Sequence, residues 1–355
     1  MTNVPGPVTG GVDTHGETHH AAVIDQVGQQ VADAEFPTTP AGYRALLAWL
    51  HGQGQVERVA VEGTGAYGAA LGRYLREQGV AVVEVDRPDR KTRRAKGKSD
   101  PIDAYAAARA ALSGQASGTP KTRDGKVEAI RVLRNARGGA VKARTQAVNQ
   151  LKGLLVTAPA ALREQLRSLD TAALVGACAH LSPGTDLSDP ANAVKTALRR
   201  LATRIRAFDT EIADADRDLA PLVSAAAPRL VALMRVGPEV AGQLLVTAGD
   251  NPDRLRSEAA FAHLCGVAPI PASSGRTDRH RLNRGGDRAA NCALYRIVLC
   301  RLRYDPATQA YAERRTKQGL SKPEIIRCLK RYVVREVYHA LLPVPKQTED
   351  LAPAA

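Results

Sequence analysis

The sequence predicts a mixed α/β amino-terminal domain, a long helical arm and a mainly helical carboxy-terminal domain. Three observations predict it. Short apolar, β-like runs alternate with amphipathic helical patterns up to about residue 115. From about 120 to 218 strand signals vanish and apolar residues recur at spacings of three and four. Beyond Pro221, helical stretches are punctuated by Gly237-Pro238 and by the polar loop Ala272-Ser273-Ser274-Gly275-Arg276.

The β-like runs are Gly11 to His15, His20 to Asp25, Gln30 to Glu35, Arg58 to Glu62 and Val80 to Val85. The first two read as a hairpin. Helices are expected over Pro40 to Gly52, Gly65 to Gln78 and Asp100 to Leu112, the last with Pro101 in its first turn, where a missing N–H costs nothing. Three strands followed by alternating helix and strand is the order of ribonuclease-H-like domains. In that order Asp13 falls on the first strand, Glu62 ends the fourth, and Asp100 and Asp103 share a helix face. Each stands where such a nuclease places a metal ligand. Four converging carboxylates repel one another unless a cation lies between them, and hard oxygen ligands suit Mg²⁺ or Mn²⁺. Taken singly, each acid also reads as a solvated carboxylate or a cap, and Asp100 suits an N-cap.

Val127 to Leu155 and Ala191 to Leu219 suit an antiparallel helical hairpin or coiled coil, broken between them by Pro159 and by Ser182-Pro183-Gly184-Thr185-Asp186. Leu233 to Ala241 reads as helix, tight turn at Gly237-Pro238 and helix. That is either an ordinary turn or a helix-hairpin-helix whose backbone N–H groups bind a DNA phosphate. A basic helix is expected from Arg288 to Tyr304. The domain boundaries are 1–118, 119–220 and 221–345, with a tail at 346–355.

The 355 residues carry a formal net charge of +14, which points to a polyanionic partner. The charge is clustered. Arg87, Arg90, Lys91, Arg93, Arg94, Lys96 and Lys98 stand against one acid just before Asp100. Arg276 to Arg303 holds eight arginines, Arg279, Arg281, Arg284 and Arg288 among them, against two aspartates. Aromatic residues are only 4%, so phosphate contacts rather than base stacking are expected to dominate. Five cysteines without a CxxC pair fit a reducing compartment, and the absence of a signal-like segment or a long apolar run predicts a cytoplasmic protein with no membrane partner.

Two motifs invite other readings. Gly63-Thr64-Gly65-Ala66-Tyr67-Gly68 matches a dinucleotide fingerprint, but it follows the fourth strand rather than the first, and Glu62 beside it would repel a pyrophosphate. The glycines are read instead as a bend around the metal site. His15, His19 and His20 suggest zinc with Asp13. His19 and His20, however, are neighbours on a strand and point to opposite faces, so they are read as surface or strand histidines.

With these residues in view, the chain resembles the DEDD transposases of the IS-one-ten type over nearly its whole length. The resemblance rests on Gly11-Val12-Asp13, Val61-Glu62-Gly63-Thr64-Gly65, Lys98-Ser99-Asp100-Pro101-Ile102-Asp103-Ala104, Gly266-Val267-Ala268-Pro269 through Ser274-Gly275, Asn283-Arg284-Gly285-Gly286-Asp287-Arg288 and Ala293-Leu294-Tyr295. It implies a Holliday-junction-resolvase-like first domain whose tetrad, Asp13, Glu62, Asp100 and Asp103, binds Mg²⁺. It also implies a carboxy-terminal transposase domain with a nucleophilic serine, which by its place before Gly275 is Ser274, with Ser273 adjacent. The family further implies a covalent phosphoserine–DNA intermediate, donor and target double-stranded DNA chosen by a structured noncoding bridge RNA, and homodimers that assemble into a tetramer. Two rivals remain: a junction-type endonuclease using metal-activated water, and a non-catalytic nucleic-acid-binding protein.

Overall fold

The structure, a computed structural model, describes residues 6–85, 99–276 and 280–342. The chain divides into two compact units, one of residues 1–125 with 248–257, the other of 126–247 with 258–355.

The first unit is a five-stranded mixed sheet with helices on both faces. Its strands β1 (Pro7–Thr14), β2 (Thr18–Ile24), β3 (Gln30–Pro37), β4 (Gln55–Glu62) and β5 (Val82–Val85) lie in the order β3-β2-β1-β4-β5. β1 to β3 are antiparallel; β4 runs parallel to β1, and β5 to β4. β1 is central and is buried from Val8 to Thr14, whereas edge strand β3 shows the alternating exposure of a half-solvated strand. On one face α1 (Pro40–Gln53) and α2 (Ala69–Glu77) cover Val12, Ala21, Val23, Val59 and Val61 with Leu46, Leu50, Leu71 and Leu75. The Thr39 side chain caps α1 by accepting from the Gly42 N–H at 3.0 Å. On the other face α3 (Asp100–Leu112) packs its alanines on Ala22, Ile24 and Ala60. Gly11 permits this contact, since a Cβ there would stand 2.2 Å from the Ala104 carbonyl oxygen.

The helix expected from Gly65 begins at Ala69. Residues 63–68 close a turn instead, with Gly63 at φ +66° and the Ala66 and Gly68 N–H groups donating to its carbonyl. A run that reads as helical by composition is diverted here by a left-handed residue that glycine adopts freely.

In the second unit α4 (Lys126–Val156) pairs with α7 (Pro190–Ala226). The ion pairs Arg137–Asp216 and Arg144–Asp209 run in opposite sequence directions and so fix an antiparallel arrangement. Between them α5 (Ala160–Leu166) and α6 (Thr171–Ala179) turn Leu162, Leu166, Leu174 and Cys178 onto the apolar stripe of Leu151, Leu198 and Ile205. The remaining elements are α8 (Pro228–Val231), α9 (Pro238–Ala248), α10 (Glu258–Leu264), the strand pair β6 (Ile270–Pro271) and β7 (His280–Arg281), α11 (Arg288–Tyr304), α12 (Pro306–Lys317) and α13 (Lys322–Leu341). α11 and α13 are joined by buried Arg301, whose guanidinium donates to both Glu336 oxygens at 3.0 and 2.8 Å.

The expected helix through Leu233-Met234-Arg235 is not formed. α8 ends at Val231, and Arg235 takes φ +62°, so the segment before Gly237-Pro238 is a turn. Pro238 then opens α9, as a proline at a first helical position does. No helix among the described residues is long and apolar enough to cross a membrane.

Candidate metal centre and serine loop

Strand alternation puts Gly11 and Asp13 of β1, and Ala60 and Glu62 of β4, on the α3 side of the sheet. Val12 pairs with Val61, which sets Asp13 and Glu62 abreast at the ends of parallel strands. The first turn of α3 lies over the same edge. Its N-cap is Ser99, so Asp100 is the first helical residue rather than the cap, and Asp103 follows one turn on. The two aspartates also stand at the positive end of the helix dipole.

Asp13 is 6% exposed and Asp103 2%, while Asp100 is half-buried. Burial raises the Asp13 pKa above the ordinary carboxylate value; His15 opposes that shift, and the negative charges of Asp103 and Asp100 add to it. The structure brings Asp13, His15 and Asp100 into one group whose potential ligand atoms all lie within 4.8 Å of one another. His15 Nε2 is 3.2 Å from Asp13 Oδ2 and 3.4 Å from Asp100 Oδ1. Both Nε2 and Oδ2 are buried, and neither makes a hydrogen bond. Two orphaned polar atoms facing one another across such a gap fit a divalent cation between them. Glu62 and Asp103 lie outside this tight group, on the same face of the same sheet.

Sequence reasoning set the histidines aside together, and the structure separates them. His15 sits in the centre. His19 is fully buried rather than at the surface, stacked on Tyr43 of α1 with ring centroids 5.8 Å apart. His20, opposite Asp13 in the β1–β2 register, points to the other face, where its Nε2 meets Asp33 Oδ2 at 2.8 Å; Tyr105 of α3 donates to the other oxygen of the same carboxylate. At the rim, Thr14 donates to the Glu62 carbonyl at 2.9 Å, and a Cβ on Gly68 would stand 2.7 Å from that same oxygen. The glycine turn is thus folded back against the end of β4.

In the second unit Ser273, Ser274, Gly275 and Arg276 are exposed in the loop between β6 and β7. The base of this loop is tightly built. Gly266 and Gly286 have φ +64° and +80°, and a Cβ on Gly286 would stand 2.6 Å from both the Gly266 nitrogen and the Leu264 oxygen. Asn291 Nδ2 donates to the Cys265 and Gly266 carbonyls at 3.1 and 2.9 Å, and Lys330 Nζ donates to Asn291 Oδ1 at 2.8 Å. Asp287 caps α11 through Ala289 and Ala290 and accepts from Thr247 at 2.7 Å.

Arg281, Arg284 and Arg288 are exposed along and after this loop, and Gly237 is exposed at the start of α9. Arg87, Arg90, Lys91, Arg93, Arg94, Lys96, Lys98 and Arg279 lie outside the described residues. A groove of about 1000 Å³ opens beside β7, lined by Arg281 and by Arg314, Arg315, Arg327, Lys330 and Arg331 of α12 and α13. Sequence reasoning missed these last five cations. The signal was present in the basic run from Arg314 to Arg331, but it lies away from the acidic motifs. Lys330 is nine-tenths buried, and desolvation, then the neighbouring Arg327, pushes its pKa down.

Comparison with known proteins converges on one family. Residues 10–158 match a DEDD family profile described as "Transposase", and residues 227–313 match a profile described as "Transposase IS116/IS110/IS902 family". The chain is 26% identical over 367 aligned positions, 87% of each protein, to the "Mini-circle putative transposase for IS117" of Streptomyces coelicolor. It is 27% identical to the "Insertion element IS900 uncharacterized 42 kDa protein" of Mycobacterium paratuberculosis over 38% of this chain and 35% of that one. The first profile spans the sheet and α3, the second spans the serine loop, and the chain belongs to the IS110-type transposases, enzymes that bind and rearrange DNA.

Proposed function

We propose that this transposase is a site-specific recombinase that excises and inserts its own element by a metal-dependent reaction through a serine–DNA intermediate. The observation that carries the metal half is the buried Asp13 abreast of Glu62, with Asp100 and Asp103 brought over the same strand ends by α3. The strand order, three antiparallel strands followed by two parallel ones, supports a ribonuclease-H-like reading of this unit.

Asp13, Glu62, Asp100 and Asp103 would hold Mg²⁺ or Mn²⁺, which supplies positive charge against the negative charge that builds on the phosphate oxygens. Ser274 Oγ forms a bond to phosphorus as the bond to a 3′-oxygen breaks. The serine proton passes to a general base and from it to the departing oxygen, which leaves as a 3′-hydroxyl. A 3′-hydroxyl from the partner strand then attacks the phosphoserine, returning the proton to Ser274 and sealing the exchanged strand. The ester stores the energy of the broken bond, so the exchange needs no ATP. Arg276, Arg281, Arg284 and Arg288 would offset charge on the phosphate and on its neighbours along the strand.

In this reading donor and target DNA are selected by pairing with a bridge RNA. The helical pair α4 and α7 serves assembly into a dimer and then a tetramer, since two DNAs present four strands to be cut. The competing reading, a junction-type nuclease using activated water, keeps the carboxylates and discards the serine.

The experiment is a denaturing gel of labelled element-end DNA incubated with protein, co-expressed flanking RNA and Mg²⁺. A protein–DNA adduct lost in Ser274→Ala and in Asp100→Ala but kept in Ser273→Ala is expected. Cleavage to free 5′-phosphates that survives Ser274→Ala would establish the water-using nuclease instead.

A further inference from the structure

We propose that His15 is itself a metal ligand, so that its Nε2 and the carboxylates of Asp13 and Asp100 form a mixed nitrogen–oxygen site that takes a first-row transition ion such as Mn²⁺ in preference to Mg²⁺. The inference rests on the reading of Asp13 and Asp100 as ligands and goes beyond it, because an all-carboxylate tetrad contains no nitrogen and has no reason to discriminate against Mg²⁺.

The geometry carries it. β1 ends at Thr14, and the His15 N–H donates to the Thr18 carbonyl at 3.1 Å, closing the tight β1–β2 connection beside the end of the strand. His15 Nε2 then stands 3.2 and 3.4 Å from oxygens of Asp13 and Asp100. Neighbouring ligands at right angles on bonds of about 2.1 Å lie about 3 Å apart, so these separations are those of atoms sharing one ion. A protonated imidazole paired with the carboxylates would direct its N–H along a hydrogen bond to one of them. Here neither Nε2 nor Asp13 Oδ2 has a hydrogen-bond partner, although both are buried. The arrangement is therefore one of lone pairs converging on a point.

The other nearby histidines do not compete for that point. His19 lies on the opposite face of the sheet against Tyr43, and His20 Nε2 is engaged by Asp33. Mg²⁺ is a hard ion that favours oxygen, whereas imidazole binds first-row transition ions well, so one nitrogen in the set shifts selectivity away from Mg²⁺.

The test uses the full chain stripped of metal and titrated separately with Mn²⁺ and with Mg²⁺, with pulsed electron paramagnetic resonance on the Mn²⁺ form. The wild type is expected to show ¹⁴N modulation from a coordinated imidazole. His15→Ala abolishes the modulation and weakens Mn²⁺ binding about tenfold or more, with a smaller change for Mg²⁺. His20→Ala keeps the modulation, and His15→Asp moves the preference towards Mg²⁺. Bound Mn²⁺ without nitrogen coupling, at an affinity indifferent to His15→Ala, overturns the inference and leaves the carboxylate centre intact. So does modulation that disappears with His20→Ala but not with His15→Ala. Wild-type protein that binds neither ion, or Asp13→Asn protein that binds both as the wild type does, overturns the parent reading as well.

Discussion

Asp13 stands on the central strand of a sheet, 6% exposed, with a helix laid over it, whereas Ser274 is exposed in a loop between two strands of two residues each. The carboxylates are held by secondary structure on every side: β1 and β4 fix Asp13 and Glu62, and α3 fixes Asp100 and Asp103. The serine loop is anchored at its base, where Gly266, Gly286, Asn291 and Asp287 interlock. A rigid scaffold gives charge placement that costs no reorganisation during reaction, whereas the proposed nucleophile stands on an exposed loop, where binding and catalytic groups are often carried. The rigid centre also bears a cost absent from the loop, since the negative charges of Asp103 and Asp100 crowd the buried Asp13 carboxylate.

The sharpest way to break this comparison is to neutralise one residue of each region. Under the proposed mechanism, Asp13→Asn and Ser274→Ala are both expected to lower strand transfer by at least about 10³-fold, the first by removing a proposed metal ligand and the second by removing the proposed nucleophile. Their stabilities should differ in sign. Without metal, Asp13→Asn removes a desolvated, repelled charge and raises the melting temperature; Ser274→Ala, at an exposed site, moves it by no more than a surface change of about 0.5 kcal/mol allows. Equal thermal shifts in metal-free protein would show that the centre is not under the strain described.

Next in size is the packing beneath the centre. In Gly11→Ala a Cβ placed 2.2 Å from the Ala104 oxygen forces α3 away from β1 and takes Asp100 and Asp103 with it. A loss of about 1–3 kcal/mol in chemical denaturation, together with weakened Mn²⁺ binding, is expected. Unchanged metal binding would mean that α3 does not place the ligands.

Within the serine loop the same comparison can be repeated between base and tip. Gly286→Ala meets backbone at 2.6 Å and a left-handed φ together, and should cost more than the roughly 1 kcal/mol of left-handed strain alone. Gly275→Ala, at φ +56° in open space, should cost about that 1 kcal/mol or less. Equal melting shifts for the two would contradict a loop whose base is more tightly built than Gly275.

Much of the carboxylate centre was legible in the sequence because the relevant signals are local. Strand alternation, the position of Pro101 and the three-residue spacing of Asp100 and Asp103 each constrain where a side chain points before any tertiary contact is known. His15 was not legible. It lies one residue past the end of β1, where alternation no longer applies, and its position depends on how the connection to Thr18 turns. The pair His19 and His20 was correctly separated onto two faces by the period of a strand, but which face is dry depends on α1, distant in sequence. Leu233 to Arg235 failed for a different reason: their apolar spacing suits a helix, yet the chain must reverse before Gly237-Pro238, and Arg235 takes the left-handed conformation that does so. The cations of α12 and α13 were visible as charge, but only folding gathers them beside β7.

The smallest effect expected is a pH dependence from the dry face of the first unit. His19 is fully buried against Tyr43 and neither ring nitrogen has a hydrogen bond, so desolvation holds its pKa below the ordinary 6.5. Above that value both the folded and the unfolded chain carry the neutral ring, and His19 adds no pH slope. As pH falls through 6.5 the unfolded chain takes up a proton that the folded chain resists, so stability declines until the lower folded pKa is reached. Tyr43 titrates far above this range, and burial pushes it higher, so it adds nothing to the slope. Melting temperatures of wild type and His19→Phe, taken from pH 8 to pH 5 without metal, should run parallel above pH 7 and diverge below it, with the wild type falling faster. Parallel curves throughout would mean that the His19 ring reaches water, and that the α1 face of the sheet is less dry than the α3 face that holds the carboxylates.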